Sequence, residues 1–230
     1  MMYKKDTVNV IMPVYNEENT LQEIITRVLE QKVVDKLIIV NDSSKDKSLD
    51  IIKNLSQKDK RIIYITNKSN MGKGYSVRKG LELVKSGIVI IQDADLEYYP
   101  EDYGKMIPLL KEDTFVLGTR IRNNQKGHNY LLGAFVNSCL TAEFNLFYST
   151  RMEDINTCYK VFKKEMISES ELKQNGFLLD LEILMILIRK GYKMAEVNVR
   201  YTSRTFKEGK KITAKDAIKQ FGFIISNRLS

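Results

Sequence analysis

Short apolar runs typical of buried strands alternate with segments of helical periodicity through the first half of this chain. Between the runs, apolar residues recur every three or four positions, as they do on one face of a helix. Parallel strands need a crossover between them, and a helix usually provides it. The alternation therefore predicts an α/β fold, a Rossmann-like and mostly parallel sheet with helices on both faces. The runs lie at residues 8–13, 37–40, 62–65, 87–92 and 114–118.

The remaining segments follow a less regular pattern. Polar, basic loops are predicted at 120–127 and 205–211, and strand-like segments at 154–162 and 195–201. With only three prolines in the chain, a linker between domains is not evident, and we expect a single domain over residues 1–230. Further helices are predicted at 74–86, 101–110, 130–147, 178–188 and 212–229.

The charge and composition narrow the class of protein. Lysine and arginine exceed aspartate and glutamate by 37 to 29, which gives a net charge of +8 and suits an anionic partner. A nucleotide, a nucleic acid and an acidic membrane surface all meet that description. Two cysteines cannot form a disulfide framework or a zinc site. No leader-like segment and no bilayer-length apolar window is evident, which predicts a soluble or peripheral protein.

Polar side chains follow three of the predicted strands. Residues 15–17 (Tyr-Asn-Glu) follow the first, residues 41–43 (Asn-Asp-Ser) follow the second, and Asp93, Asp95 and Glu97 follow the fourth. Ligands of α/β sheets bind at the carboxyl ends of the strands. Carboxylates this close repel one another unless a cation lies between them, and a divalent metal with oxygen ligands fits that need. Asp42 could accept hydrogen bonds from a base or ribose, or could cap the next helix with Ser43.

A glycine-flanked lysine opens the third predicted helix. Gly72 and Gly74 allow close backbone approach, and Lys73 adds a positive charge at a helix N-terminus, which suits a phosphate. The segment is not a P-loop, because the Walker spacing is absent. No Gly-x-Gly-x-x-Gly follows the first strand, which argues against a dinucleotide site.

Taken in order, these motifs resemble glycosyltransferase family 2, and within it the dolichyl- or polyprenyl-phosphate sugar synthases. The resemblance covers about 9–120 and continues more loosely to residue 212. It rests on Pro-Val-Tyr-Asn-Glu at 13–17, Val-Asn-Asp-Ser-Ser at 40–44, Gly-Lys-Gly at 72–74 and Gln-Asp-Ala-Asp-Leu-Glu at 92–97. It implies the GT-A fold, with 1–119 binding a nucleotide sugar and 120–230 binding the acceptor.

The resemblance also implies a role for each matching residue. Asp95 and Glu97 would bind Mg²⁺ or Mn²⁺ against the diphosphate, while Asp93 and Ala94 would contact the nucleotide sugar. Arg120 would reach the phosphate on the acceptor side. Phosphates would also be clamped by Arg204 and Lys210, with Lys73 adding positive charge. The base and ribose would be held by Pro13, Tyr15, Glu17, Val40 and Asp42.

Two positions depart from the family pattern. Family members often have Asp-Asp-Gly-Ser where this chain has Asn-Asp-Ser-Ser at 41–44, a change that keeps Asp42 but alters the turn. The mannosyltransferases carry glutamine at the position of Glu97. A carboxylate there adds charge at the metal and leaves the donor sugar open, GDP-mannose or a UDP-sugar.

Two acceptors are open. A polyprenyl or dolichyl phosphate is already anionic and needs cations such as Arg120 and Arg204, whereas a sugar hydroxyl needs a general base. Candidate bases, which would also line the acceptor site, are Asp154, Asp180 and Glu182. The alternative for these three carboxylates is a structural role.

The predicted activity is therefore metal-dependent, inverting transfer of a hexose from a nucleotide-diphosphate sugar to a polyprenyl phosphate. A polysaccharide-building transferase and a nucleotide-sugar-binding regulatory subunit are the alternatives. Nucleic acid is not an expected partner, because acidic strand ends repel phosphates and no binding motif is evident. The apolar stripe of helix 212–229 is explained either by core packing or a homodimer face, or by attachment at the cytoplasmic membrane face. A membrane-protein partner is a further alternative.

Overall fold

The computed structural model describes residues 6–120, 128–204 and 214–229. Within them, seven strands form one sheet in the order β3-β2-β1-β4-β6-β5-β7. Only β6 is antiparallel to its neighbours, β4 and β5. The mostly parallel sheet is therefore confirmed. The strands are β1 (Val8–Val14), β2 (Lys36–Asn41), β3 (Ile62–Thr66), β4 (Ile88–Ile91), β5 (Thr114–Thr119), β6 (Lys160–Lys163) and β7 (Lys193–Asn198).

Helices cover the sheet. The helices α1 and α2 pack against each other, and α3 packs against β1, β2 and α6. The side chains of β4 are buried along its whole length, which is why its sequence is apolar without alternation. The helices are α1 (Leu21–Glu30), α2 (Ser48–Lys58), α3 (Lys73–Glu82), α4 (Tyr103–Met106), α5 (His128–Tyr148), α6 (Leu179–Arg189) and α7 (Ala214–Leu229).

Three predicted elements differ from the structure. The helix expected at 101–110 is broken into α4 and two flanking 3-10 turns, because Pro108 has no N–H to continue the helical hydrogen bonds. The strand expected at 154–162 is reduced to β6, since Asp154 accepts the N–H of Asn156 at 3.2 Å and curls the chain before the strand. The third helix ends at Glu82, four residues before its predicted end.

One edge of the sheet collects the polar segments. β5 and β7 run parallel to each other, and β5 runs in the direction of β4 because antiparallel β6 lies between them. The carboxyl ends of β1, β2, β4, β5 and β7 therefore share an edge with the amino end of β6. The crossovers that leave β1 and enter β4 travel in opposite directions across the sheet. Such a reversal opens a crevice at that edge, where ligands of this fold class bind.

The helix α5 carries a buried carboxyl group that has no hydrogen-bond partner among the described residues. Glu143 on α5 is 9% exposed, and neither of its oxygens has a hydrogen-bond partner. Burial alone raises the pKa of Glu143 to about 7. Above this pH the folded protein must keep an uncompensated charge away from water, which is unfavourable.

Replacing Glu143 by Gln is expected to change how stability depends on pH. The raised pKa means that the folded state binds the proton more tightly than the unfolded state. The wild type should therefore lose up to about 3 kcal/mol of unfolding free energy as the pH rises from 4.5 to 7, and no more above 7. The Glu143→Gln variant should lack that component. Urea unfolding of both proteins at pH 5 and pH 8 measures it, and parallel pH profiles would contradict it.

Candidate active site

Three carboxylates from two strand ends meet around one arginine. The Arg204 guanidinium lies 2.6 Å from Asp95 Oδ2, 3.1 Å from Glu17 Oε2 and 3.7 Å from Glu97 Oε1. The four side chains are only 10–16% exposed. The chain thus places a monovalent cation of its own among the acidic residues.

The electrostatics of Asp95 show how crowded this cluster is. Burial, together with the charges of Asp93 and Glu97, raises the pKa of Asp95 to about 7 even though Arg204 opposes the shift. Asp95 Oδ1 also accepts the N–H of Glu97 at 3.0 Å. A cation more highly charged than a guanidinium would stabilise this group of carboxylates further.

Glu97 ties the segment after β7 to the acidic cluster. Its carboxylate accepts hydrogen bonds from the Arg204 backbone N–H at 2.7 Å and from the Tyr201 hydroxyl at 3.0 Å. Its carbonyl oxygen accepts the N–H of Thr202 at 2.8 Å. The position that departs from the mannosyltransferase pattern therefore fixes where residues 201–204 lie.

A row of alternating buried charges lies beside this cluster. Lys73 Nζ is 2.8 Å from Asp93 Oδ1 and 3.1 Å from Asp180 Oδ2, and the other oxygen of Asp180 lies 3.1 Å from Lys160 Nζ. Burial lowers the pKa of Lys73, but Asp180 and Asp93 outweigh it and hold that pKa well above its usual value. Burial likewise raises the pKa of Asp180, but Lys160 and Lys73 outweigh it and keep the pKa low. Asp180 is therefore an ion-pair partner rather than a free base.

The glycines around Lys73 allow another loop to pass close to the backbone. Gly72 has a φ of 95°, and a Cβ there would lie 2.5 Å from the carbonyl oxygen of Asn175. The loop is fixed by Glu182, whose carboxylate accepts the N–H groups of Lys173 and Gln174 at 2.9–3.0 Å. Glu182, a candidate base from the sequence, instead holds the backbone that supports Lys73.

Of the five residues expected to hold the base and ribose, Glu17 lies in the cluster around Arg204, and the other four lie at or just after the carboxyl ends of β1 and β2. Asp42 is buried, and its carboxylate accepts hydrogen bonds from the N–H groups of Met71 and Gly72 and from the Asn67 amide at 2.7–2.9 Å. Val40 is fully buried. Pro13 and Tyr15 are partly exposed. The nucleotide contacts of these residues remain predictions.

Arg120 at the end of β5 is paired with Asp154. The two form a bidentate ion pair, with Arg120 Nε and Nη2 at 2.6 and 2.8 Å from the Asp154 carboxylate. Burial raises the pKa of Asp154, but Arg120 outweighs it and keeps the pKa low. The Arg120 guanidinium also lies over the Tyr201 ring, 5.0 Å from its centroid. Tyr201 thus contacts both Arg120 and Glu97.

Two residues of this site were missed by reasoning from the sequence. Lys160 lies within an apolar run that forms a buried strand. A lysine in such a position is unusual, and this could have identified it from the sequence. Nothing in the sequence around Tyr201 indicates its role, because only the fold brings it next to Glu97. Ala94 is buried, and its carbonyl oxygen accepts the Thr20 hydroxyl at 3.0 Å, so its contact with the nucleotide sugar stays a prediction. Lys210 and the basic loop 205–211 lie outside the described residues.

The donor set fits a divalent cation in its chemistry, and Arg204 already occupies a cation position within it. Carboxylate oxygens are the ligands that Mg²⁺ and Mn²⁺ prefer. Over the part of the chain that the structure describes, however, no three acidic, histidine or cysteine side chains are grouped closely enough to hold a metal. Asp95, Glu97 and Glu17 would have to close around an ion in the place of the guanidinium.

An α/β sheet with carboxylates at its switch point and basic residues facing them is an arrangement in which a ligand binds at that edge, and comparison with known proteins gives the family of the chain. The model of glycosyl transferase family 2 matches residues 9–170, so the chain belongs to that family. The resemblance seen in the sequence is confirmed.

Known relatives are similar over most of this chain but are longer. Glycosyltransferase AglJ of Haloferax volcanii is 24% identical over 86% of this chain and 64% of its own length. Dolichyl-phosphate β-glucosyltransferase ALG5A of Trichomonas vaginalis is 26% identical over 84% of this chain and 65% of its own. The chain therefore spans just under two thirds of these relatives. An undecaprenyl-phosphate 4-deoxy-4-formamido-L-arabinose transferase of Proteus mirabilis is 33% identical over 53% of this chain and 39% of its own.

Solved structures confirm the fold. Glucosyl-3-phosphoglycerate synthase from Mycobacterium tuberculosis, solved with UDP, superposes with a TM-score of 0.69 over 97% of this chain and 79% of that one. The same enzyme has been solved with Mn²⁺, UDP and glucosyl-3-phosphoglycerate. At 17% identity the first comparison bears on the fold alone, which is GT-A as predicted.

Proposed function

We propose that this chain transfers a hexose from a nucleotide-diphosphate sugar to a polyprenyl or dolichyl phosphate, with inversion and with a divalent metal. Family membership supports a glycosyltransferase, and two of the relatives above are named for lipid-phosphate acceptors. The donor would bind in the crevice beside Asp93 and Asp95. The acceptor would approach from the side of Arg120.

The observation that favours a lipid phosphate is the state of the three candidate bases. Asp154 is held by Arg120, Asp180 lies between two lysines, and Glu182 accepts backbone N–H groups. A carboxylate whose pKa is lowered by ion pairs is a poor base, and both Asp154 and Asp180 are in that condition. A sugar hydroxyl needs a base, whereas a phosphate monoester is already ionised. None of the three carboxylates named as candidate bases is thus left as an unpaired proton acceptor, which favours an acceptor that is already ionised.

Each charged group would have a distinct task in that reaction. A metal on Asp95 and Glu97 would neutralise the diphosphate as it leaves. Lys73 beside Asp93 would add positive charge near the donor, and Arg204 would do so from the segment after β7. Arg120, oriented by Asp154 and by the Tyr201 ring, would steer the acceptor phosphate.

Transfer assays distinguish the proposal from its alternatives. The protein is incubated with Mn²⁺ and radiolabelled GDP-mannose, UDP-glucose or UDP-N-acetylglucosamine, with either undecaprenyl phosphate, dolichyl phosphate or an oligosaccharide. Label in the lipid-extractable fraction with one donor is the expected result. Transfer to the oligosaccharide alone would overturn the lipid acceptor. Donor binding without transfer to any acceptor would favour the regulatory subunit.

Association with the membrane surface is part of this proposal. No helix in the described ranges is both long enough and apolar enough to span a membrane. Large apolar side chains are nevertheless exposed on the packed pair α5 and α7, with Phe135 at 67%, Leu146 at 77%, Ile218 at 73% and Phe221 at 52%. The exposed side of α5 between residues 133 and 149 carries no charge. Exposed apolar side chains, with the basic Lys219 and Arg228 exposed on α7, fit an anionic lipid surface.

Replacing Ile218 and Phe221 by Glu together is expected to weaken binding to vesicles of phosphatidylglycerol and phosphatidylcholine at least tenfold. Two apolar side chains would leave the lipid and two like charges would face it. Co-sedimentation measures the change. The matched control is the pair Ile63→Glu and Tyr64→Glu, which changes residues exposed at 37% and 36% on the edge strand β3. Equal binding by both variants would contradict the assignment, and loss of a lipid-free dimer would assign the face to a second copy.

A further inference from the structure

We infer that Arg204 acts in the free enzyme as a counter-cation for the metal-binding carboxylates, so that the metal binds well only together with the nucleotide. This rests on the proposed function, because it concerns the same site. The inference gives Arg204 a role before catalysis that differs from contact with a phosphate.

The contacts of Arg204 carry the inference. Its guanidinium contacts Asp95 Oδ2 and Glu17 Oε2, and its backbone N–H binds Glu97 Oε1. The carboxylate oxygens that a divalent ion would need as ligands are therefore already bonded to Arg204. A divalent ion and the guanidinium cannot both bind these carboxylate oxygens. Two cations held next to the same carboxylates repel each other strongly in a poorly hydrated site.

The same arginine is held in a way that allows release. Its Nε lies 3.7 Å from Glu97 Oε1 and is buried, yet it has no hydrogen-bond partner among the residues that the structure describes. A buried N–H without a partner is unfavourable. An incoming diphosphate offers acceptor oxygens for all sides of the guanidinium. Phosphate oxygens therefore replace the hydrogen bonds that the arginine loses when it leaves the carboxylates.

The order of binding follows from this exchange. Metal alone would displace Arg204 and leave it without an anion. Metal and diphosphate together replace the cation on the carboxylates and supply a new partner to the arginine. The two ligands should therefore bind with positive coupling, and by linkage each strengthens the other equally. Glu97, which binds the backbone of Arg204, makes the position of residues 201–204 sensitive to the metal.

Calorimetric titration with Mn²⁺, with and without UDP or GDP, tests the inference on the full chain. Without nucleotide, Arg204→Gln should bind Mn²⁺ about tenfold more tightly than the wild type, within the range of common coupling effects. With nucleotide the gain should vanish. The matched control is Arg200→Gln, which removes an arginine paired with Asp102 rather than with the cluster and should not change Mn²⁺ affinity.

The outcomes separate this inference from the function on which it rests. Equal or weaker Mn²⁺ binding by Arg204→Gln without nucleotide, with nucleotide-dependent binding intact, overturns the inference alone. No Mn²⁺ binding by the wild type with any nucleotide overturns the metal site and the inference together. If Arg204→Gln does not fold, Arg204→Lys serves instead. A lysine ammonium cannot contact Glu17 and Asp95 together as the arginine guanidinium does. A smaller gain in Mn²⁺ affinity is therefore expected for Arg204→Lys, and the absence of any gain overturns the inference.

Discussion

Replacing Asp180 by Asn is expected to lower the free energy of unfolding by about 4 kcal/mol. The substitution keeps the shape of the side chain but removes the charge between Lys160 and Lys73. Lys160 is 0% exposed, and a buried ammonium without its counter-charge is strongly destabilising, by about 3–5 kcal/mol where one partner of a buried pair is removed. Urea unfolding followed by circular dichroism measures the loss.

A charge-matched control tests whether burial is the cause. Glu82→Gln also removes one negative charge, from an exposed pair with Lys79 on α3. Exposed pairs contribute little, so unfolding of this variant should resemble that of the wild type. If Asp180→Asn loses less than about 1 kcal/mol, the row of buried charges does not hold the site together as described.

Replacing Asp95 by Asn should reduce kcat/KM for sugar transfer about a thousandfold. Asp95 lies at the centre of the carboxylate cluster, and losing its charge weakens the hold on the metal that stabilises the leaving diphosphate. The fold should persist, because relief of the repulsion from Asp93 and Glu97 compensates in part for the lost contact with Arg204. Initial rates over a range of Mn²⁺ concentrations measure the effect, together with a thermal melt.

The matched control for this variant lies at the other end of a strand. Asp113 precedes β5 and pairs with Lys193, at the sheet edge opposite the crevice. Asp113→Asn should keep full activity. Wild-type rates in Asp95→Asn at saturating Mn²⁺ would place the metal elsewhere, whereas equal losses in both variants would point to a general effect on the protein.

Much of the site could be predicted because local sequence and sheet geometry agree. Apolar runs followed by polar residues identify the carboxyl ends of β1, β2 and β4, and parallel strands bring those ends to one edge. Glu17 and Asp95 were expected at this edge, and the structure brings them within reach of one arginine. The helix at 101–110 was predicted wrongly because Pro108 lies inside it and has no N–H to continue the helical hydrogen bonds.

Residue types and their order determined that this chain forms an α/β sheet with an acidic edge, because strand periodicity and the polarity of strand ends are local properties. Only the tertiary structure decided which charges neutralise which. Arg204 lies 109 residues from Asp95 in the chain, and Lys73 lies 107 from Asp180. Such pairs form because burial makes an uncompensated charge too unfavourable to leave, and the fold alone determines which opposite charge lies within reach.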